Sequence, residues 1–249
     1  MNPIINQLQN RRSIREFTGE PVKAADLQTI LQTAQHAPTY KGAQQISLIV
    51  VDDKEKIKQI AECAGGQAQI AQADVFIVII ADFNRTAHAS QLAGKEQVID
   101  ATAEGLLIGA VDAGIMLNAI QVAAESLGYG TTAIGGIRKS PEKMIELLGL
   151  PKNTYPIVGT TIGVPNKDKY PQIKPRVPFD AFAFTNTYND ALVKKGVKEY
   201  DAILRKWWDT QGLSQIPSYI NLIGDSYSHV FYPTIAQTLA KQGFDFKDE

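Results

Sequence analysis

Between residues 75 and 80 the chain reads Val-Phe-Ile-Val-Ile-Ile, an unbroken apolar run of strand length. Such a run predicts a strand covered on both faces. The β-branched stretch Ile46-Ser47-Leu48-Ile49-Val50-Val51 predicts a second strand, and Thr131–Ile134 and Tyr155–Val164 predict two more. Helical spacing appears at about 3–10, over Lys54–Cys63, and at about 24–36, where Leu27, Ile30, Leu31 and Ala34 recur and Pro38 ends the pattern. A helix at about 140–149 opens with Ser140 in a capping position and Pro141 at the first helical position. The longest helix spans 101–127 and is apolar nearly all round, which predicts burial by several neighbours; Gly128-Tyr129-Gly130 stops it. Residues 165–188, with Pro165, Pro171, Pro175 and Pro178, read as an extended crossing segment. The remainder reads as two helices, at about 189–209 and 226–242, around a loop at 210–224.

Strands interleaved with helices place the fold as α/β or α+β, with about four or five strands and predominant helix. No composition break marks a linker, so the expected organisation is one domain, 1–249, with about 165–249 as a C-terminal extension. The 44% hydrophobic and 20% charged composition is that of a globular chain. A formal net charge of −1 gives no global attraction to nucleic acid, and no broad basic face is written into the sequence. The lone cysteine, Cys63, rules out a disulfide framework within the chain and favours a reducing compartment. The N-terminal residues lack the basic and apolar regions of a secretory signal. The most membrane-like stretch, 105–124, carries Asp112, Asn118 and Gln121, which are costly in lipid, so a buried helix explains it better. A cytoplasmic protein without a membrane partner is the expectation.

Several chemistries find no support. His36, His88 and His229 are far apart in sequence, with no carboxylate or cysteine at ligand spacing, so no metal is expected. There is no Gly-x-Ser-x-Gly elbow or Walker motif. Gly128-Tyr129-Gly130 and Gly135-Gly136 leave a helix and enter a strand, the reverse of the Rossmann order. Three features remain. In Arg11-Arg12-Ser13-Ile14-Arg15, Arg11 and Arg15 share a face whether the segment is helical or extended. Like charges so placed repel unless an anion sits between them; a solvated helix end paired to residues such as Glu16 is the other reading. In Lys174-Pro175-Arg176 the proline favours extended geometry, projecting both cations from one side, as an anion clamp or a solvated turn. Ile134-Gly135-Gly136 ends a strand with two positions at which backbone N–H groups can approach a flat ligand; a simple turn is the alternative.

At these residues the chain resembles the nitroreductase superfamily of FMN enzymes, specifically the larger oxygen-insensitive NAD(P)H nitroreductase and flavin reductase type. The resemblance runs nearly end to end, through RRSIREFTGEPV (11–22), GGQAQIAQAD with ADFNR (65–85), AAESLGYGTTAIGGIR (123–138) and KPRVP (174–178). It implies an α+β subunit with a central mixed β-sheet surrounded by helices, in an intertwined homodimer with one FMN at each end of the interface. Carried over by position, Arg11, Arg12, Ser13 and Arg15 form the N-terminal flavin-binding element. Arg11 and Ser13, with Lys174 and Arg176, hold the phosphate. Arg15 reaches the N1–C2=O edge of the ring and Gln67 its pyrimidine edge, while Ile134, Gly135 and Gly136 bring backbone near N5. Pro38, Thr39, Tyr40 and Gln44 come from the other subunit. Arg15 and Gly136 are then the residues that tune catalysis, since the flavin carries the chemistry and the protein supplies position and electrostatics.

The implied activity is hydride transfer from NADPH or NADH to FMN, then pairwise electron transfer to a nitroaromatic, quinone or free flavin, in ping-pong fashion. A flavin-binding or flavin-sensing protein without turnover is the alternative. Two departures qualify the resemblance. Ala37-Pro38-Thr39-Tyr40-Lys41-Gly42 stands where the large type often has serines. Residues 210–217 lack the basic side chains that NADPH-preferring members carry, so Arg205 or Lys206 would have to meet a 2′-phosphate.

Overall fold

In the computed structural model, which describes residues 2–248, the apolar run at 75–80 becomes β2 (Val75–Asp82), a strand with neighbours on both sides. Its alternate side chains enter different cores. Val75, Ile77 and Ile79 pack with Ile30 and Ala34 of α2 (Ala24–Gln35) and with Ala113, Met116 and Ile120 of α6 (Ala103–Ser126). Phe76, Val78 and Ile80 pack with Ile57 and Ile60 of α3 (Lys54–Cys63) and Met144 of α7 (Pro141–Leu148). Helices on both faces are the reason the strand has no polar alternation.

The other strands are β1 (Ile46–Val51), β3 (Gly130–Ile134) and β4 (Thr154–Gly163), in the spatial order β1-β2-β4-β3. Every pairing among the described residues is antiparallel, so within one chain the sheet is not the mixed one expected. The first crossover accounts for this. After β1 the chain runs out along α3, turns at Gly65-Gly66 and returns through α4 (Ala68–Ala71). β2 therefore begins where β1 stopped, with Phe76 opposite Val51.

The chain divides into two compact units: one runs to Pro171 and resumes at Tyr232, and the other is Gln172–Phe231. The first holds the sheet, α1 (Pro3–Gln9) to α7, and α10 (Ile235–Gln242), including the short exposed helix α5 (Asn84–Leu92). Phe244, just past α10, is fully buried edge-on against Phe83 and Tyr155 at ring separations of 5.8 and 6.4 Å. The second unit is built on α8 (Asp190–Thr210) and α9 (Tyr219–Tyr227), with Tyr200, Leu204 and Trp208 buried against Leu213, Ile216 and Tyr219.

The C-terminal helices correct the sequence expectation. The loop at 210–224 contains the start of α9, because the Ser218 side chain accepts from the Asn221 amide at 3.3 Å and caps a helix there. The single helix expected at 226–242 is two, α9 and α10, interrupted around Pro233, whose ring cannot continue a helix. α5 went unpredicted because it buries no residue and so has no apolar period to read. α6 is long and apolar enough to cross a membrane by length and composition. It lies against the sheet with Asp112 and Gln121 buried.

One further segment matters for the site. Residues 14–18 run extended along β3 and the end of β4. The Ile14 amide donates to the Thr131 carbonyl at 2.9 Å, and the Thr132 hydroxyl donates to the Ile14 carbonyl. Thr18 donates to Val164 at 2.9 Å, and Phe17 bridges Pro165. Two glycines make room: a Cβ on Gly130 would lie 2.6 Å from Ile14 Cγ2, and one on Gly163 would lie 2.7 Å from Phe17. Gly130→Val should therefore destabilise the protein by about 1–3 kcal/mol although valine favours strands, because Ile14 must be displaced. Urea unfolding measures it, and an unchanged midpoint would contradict this docking.

Candidate functional site

The docked segment gives its three arginines three different surroundings. Ile14 is only 5% exposed, so in extended backbone Ser13 and Arg15 face the opposite way, outward. Arg15 is exposed and, among the described residues, has neither an ion pair nor a hydrogen bond. Arg11 turns toward α6, where Nη2 donates to Gln121 Oε1 at 3.4 Å and Nε lies 3.8 Å from Glu125 Oε1. Glu125 also accepts from the Thr131 hydroxyl at 2.8 Å. Burial pushes the Glu125 carboxyl above its usual range, and the Thr131 hydrogen bond and Arg11 pull it only partly back. Arg12 donates to the Pro171 carbonyl at 3.3 Å and lies 5.5 Å from the centre of the Tyr170 ring.

A second group forms where the α3–α4 corner meets the turn after β3. Gln67 Nε2 donates to the Ala64 carbonyl at 3.1 Å, and its Oε1 accepts from Gln69 at 2.7 Å. The buried Ile134 leads into a 3-10 turn, Gly135–Lys139. A Cβ on Gly136 would lie 2.3 Å from Gln67 Nε2 and 3.0 Å from Ala64 O, so the side-chain amide occupies the space a larger residue would need. Arg138 is engaged with the Ile157 carbonyl. Sequence-distant Gln67 and Gly136 are thus in contact, the fixed amide lying where a Cβ on the glycine would be.

A third group is the loop between α2 and β1. The Tyr40 amide donates to the Asp112 carboxylate at 3.1 and 3.3 Å, and the Gln44 amide donates to the Thr39 hydroxyl at 3.2 Å. Pro38, Thr39 and Tyr40 border an open groove of about 510 Å³, whose other wall is the outer face of α6. On that face Leu107 and Val111 are 60% and 59% exposed, and Ile115 continues the stripe.

In the second unit, the Lys174 ammonium lies 5.7 Å from the Trp208 ring centre, and Arg176 Nη1 donates to the Lys174 carbonyl at 2.8 Å. The Tyr200 hydroxyl holds the Pro175 carbonyl at 3.1 Å. Arg205 is committed elsewhere: it donates to the carbonyls of Leu213, at 3.1 Å, and Ile216, and pairs with Asp209 at 3.1 Å. It therefore braces the 213–216 loop, while Lys206 stays exposed.

Cys63 is buried, and burial pushes its thiol up, the opposite of what an activated nucleophile needs. Among the described residues no three His, Cys, Asp or Glu side chains group to hold a metal. The arrangement offers an outward cation and hydroxyl on a docked extended segment, a glycine turn after β3, and a side-chain amide fixed against it. These fit a planar anionic cofactor. Sequence reading did not assign Glu125, Gln121, Asp112 or Arg85 to the site. For Asp112 and Gln121 a signal existed, as polar residues in an otherwise apolar helix.

Comparison with known proteins covers the whole chain. Residues 8–164 match the Nitroreductase family, and residues 174–247 match the Nitroreductase family, C-terminal domain. The chain is 41% identical over 248 residues to an FMN reductase [NAD(P)H] of Bacillus subtilis, covering 98% of each. In structure it is similar to NfrA2 of B. megaterium, with a TM-score of 0.95, 40% identity and full coverage of both chains. It is also similar to the NADPH:FMN oxidoreductase of Vibrio harveyi complexed with NAD+, with a TM-score of 0.87 and 32% identity over 98% of this chain and 99% of that one.

Glu125 yields a test of the electrostatics. A carboxyl held above its unfolded value favours the protonated form in the fold. Its charge therefore opposes folding above that value, and the penalty is relieved as pH falls through it. Glu125→Gln keeps an acceptor for Thr131 and removes the charge. It should be more stable than the parent at pH 7, with the advantage vanishing by about pH 3, well below the unfolded glutamate value of about 4.3, where the carboxyl is protonated in both states. Urea unfolding at the two pH values measures this, and a less stable variant at pH 7 would contradict it.

Proposed function

The chain belongs to the nitroreductase family, and on that premise we propose that it is an FMN-dependent NAD(P)H oxidoreductase reducing nitroaromatics, quinones or free flavin in two-electron, ping-pong steps. The observation that carries this reading is Arg15: an exposed guanidinium on a docked strand, with no carboxylate among the described residues to neutralise it. Bound FMN would supply the redox chemistry, accepting a hydride from NAD(P)H and passing on an electron pair.

The chain's own residues bind and orient. Arg15 supplies fixed positive charge to the pyrimidine side of the ring, in place before reaction and so without reorganisation. Gln67 offers its amide to the polar ring edge, and Gly135 and Gly136 offer backbone N–H groups that carry no side chain of their own. Ser13 and Arg11 serve the phosphate, with Arg12 bracing the segment through Tyr170. On their own unit, Lys174 and Arg176 are read as phosphate cations. With Arg205 engaged by loop carbonyls, only Lys206 of the two candidate cations is left for a 2′-phosphate, so both NADH and NADPH serve as donors.

The exposed stripe Leu107, Val111 and Ile115 beside Pro38, Thr39 and Tyr40 supports a homodimer in which that loop completes the partner's flavin site. The acceptors are small molecules, and the protein is cytoplasmic.

The purified protein should show flavin absorbance that bleaches under anaerobic NADH or NADPH. Flavin that stays oxidised with both donors would leave binding without turnover. Arg15→Ala should slow flavin reduction by roughly 10²-fold with FMN retained, whereas Lys174→Ala and Arg176→Ala should release FMN with less effect on the step. Equal effects at all three positions would overturn these roles. Val111→Asp should convert a dimer to a monomer by light scattering; a dimer that survives it would remove α6 from the interface.

A further inference from the structure

The loop from Thr39 to Gln45 follows a course that side chains resist. Lys41 (φ 52), Gly42 (φ 68) and Gln44 (φ 55) all lie in the left-handed region, and two of the three are not glycine. Such backbone persists only where its surroundings over-determine it. Three fastenings do so here. The Thr39 hydroxyl accepts from the Gln44 amide at 3.2 Å. Arg85, from α5, donates to the carbonyls of Gln44 and, at 3.3 Å, Ile46. From α6, Asp112 accepts from the Tyr40 amide at 3.1 Å and from Gln45 Nε2 at 2.6 Å.

Asp112 is the unusual member. It is 4% exposed, in the middle of the most apolar helix, and none of the ion pairs among the described residues includes it. A charge so placed is costly, and it is tolerated where hydrogen bonds satisfy its oxygens. An apolar residue would serve the helix better. The loop is what needs a carboxylate: its two oxygens take a backbone N–H at one end of the strained stretch and a buried side-chain amide at the other.

We propose that Asp112 is the positioning residue that holds the Thr39–Gln45 loop in register and so sets how Thr39 and Tyr40 are presented to the flavin and its electron acceptor. The inference rests on the functional reading above, in which this loop is a wall of the flavin site. Asp112 does not touch the flavin; it acts through Tyr40 and Gln45. Tyr40 is the side chain that moves when the fastening is lost, because its own amide is one of the two groups held.

The test uses the FMN-loaded enzyme with NADH as donor and a quinone acceptor, comparing wild type, Asp112→Ala, Asp112→Asn and Tyr40→Ala. Asp112→Ala should raise the KM for the quinone about tenfold, with kcat changed less than twofold. It should also alter the visible circular dichroism of the bound flavin. Asp112→Asn, which keeps an acceptor for the Tyr40 amide, should restore most of both. Tyr40→Ala should reproduce the KM and dichroism changes. A lowered Tm with unchanged KM and dichroism in Asp112→Ala would make Asp112 purely structural and overturn the inference. If the alanine variant gives no folded holoenzyme, Gln45→Ala decides, since it removes one of the two groups that Asp112 holds; a variant indistinguishable from wild type in both readouts overturns the inference as well. Tyr40→Ala without effect, while NADH still reduces the flavin, removes the loop from the site and sinks this inference together with the loop's place there, leaving the oxidoreductase reading standing. Wild-type protein whose flavin NADH cannot reduce sinks the functional reading itself.

Discussion

An extended segment, residues 14–18, laid along the open edge of the sheet, orients the rest of the candidate site. Its anchor is Ile14, whose side chain fills the space left by Gly130 and whose backbone is tied to Thr131 and Thr132 on β3. Once Ile14 points inward, the two-residue period of extended backbone decides the neighbours: Ser13 and Arg15 must point out. Rotation of the segment would bury a guanidinium against the sheet, where an unpaired charge is far costlier than any gain in apolar contact. The polarity of the site is therefore a result of hydrophobic packing, set by a methyl-bearing side chain and a missing one.

The regular elements were largely legible in the sequence, and the reasons are specific. β1 and α3 coincide with the segments the pattern predicts, β1 through its run of β-branched residues and α3 through helical spacing. β2 was legible from the absence of any period, since both of its faces are covered. The misses share a cause too. α5 buries nothing, so it leaves no hydrophobic trace, and α9 is started by a serine cap within a stretch whose polarity suggests loop. Strand direction was beyond reach because it depends on how a crossover returns, here through Gly65-Gly66 and a single turn of α4.

The site was legible in part. That RRSIR was more than surface decoration could be argued from its charge, but not that its arginines would separate into an outward, a carboxylate-shared and a ring-stacked member. That separation depends on Glu125, Gln121 and Tyr170, which lie more than a hundred residues downstream. Gln67 over Gly136 is likewise a tertiary contact with no local signature. α6 joins these parts. One side packs on the sheet, one carries polar groups to Arg11, and Asp112 reaches the loop before β1. Its apolar composition made it look like a simple core helix, yet its few polar residues do most of the organising.

The pairing of Arg11 with Glu125 has a consequence for how an anion would be captured. Arg11 already has a resident counter-ion, covalently tethered and half-withdrawn from solvent. An incoming anion at Arg11 must exchange with that carboxylate instead of shedding loosely held salt ions, and mobile ions neutralise only the outward Arg15. Capture at the two arginines then responds differently to ionic strength: weakly at Arg11, where the competitor's local concentration is fixed by the chain, and steeply at Arg15, where it is set by the medium. A built-in competitor also raises the threshold for casual anions, so the strand accepts a ligand that engages several of its groups at once and lets single ions go.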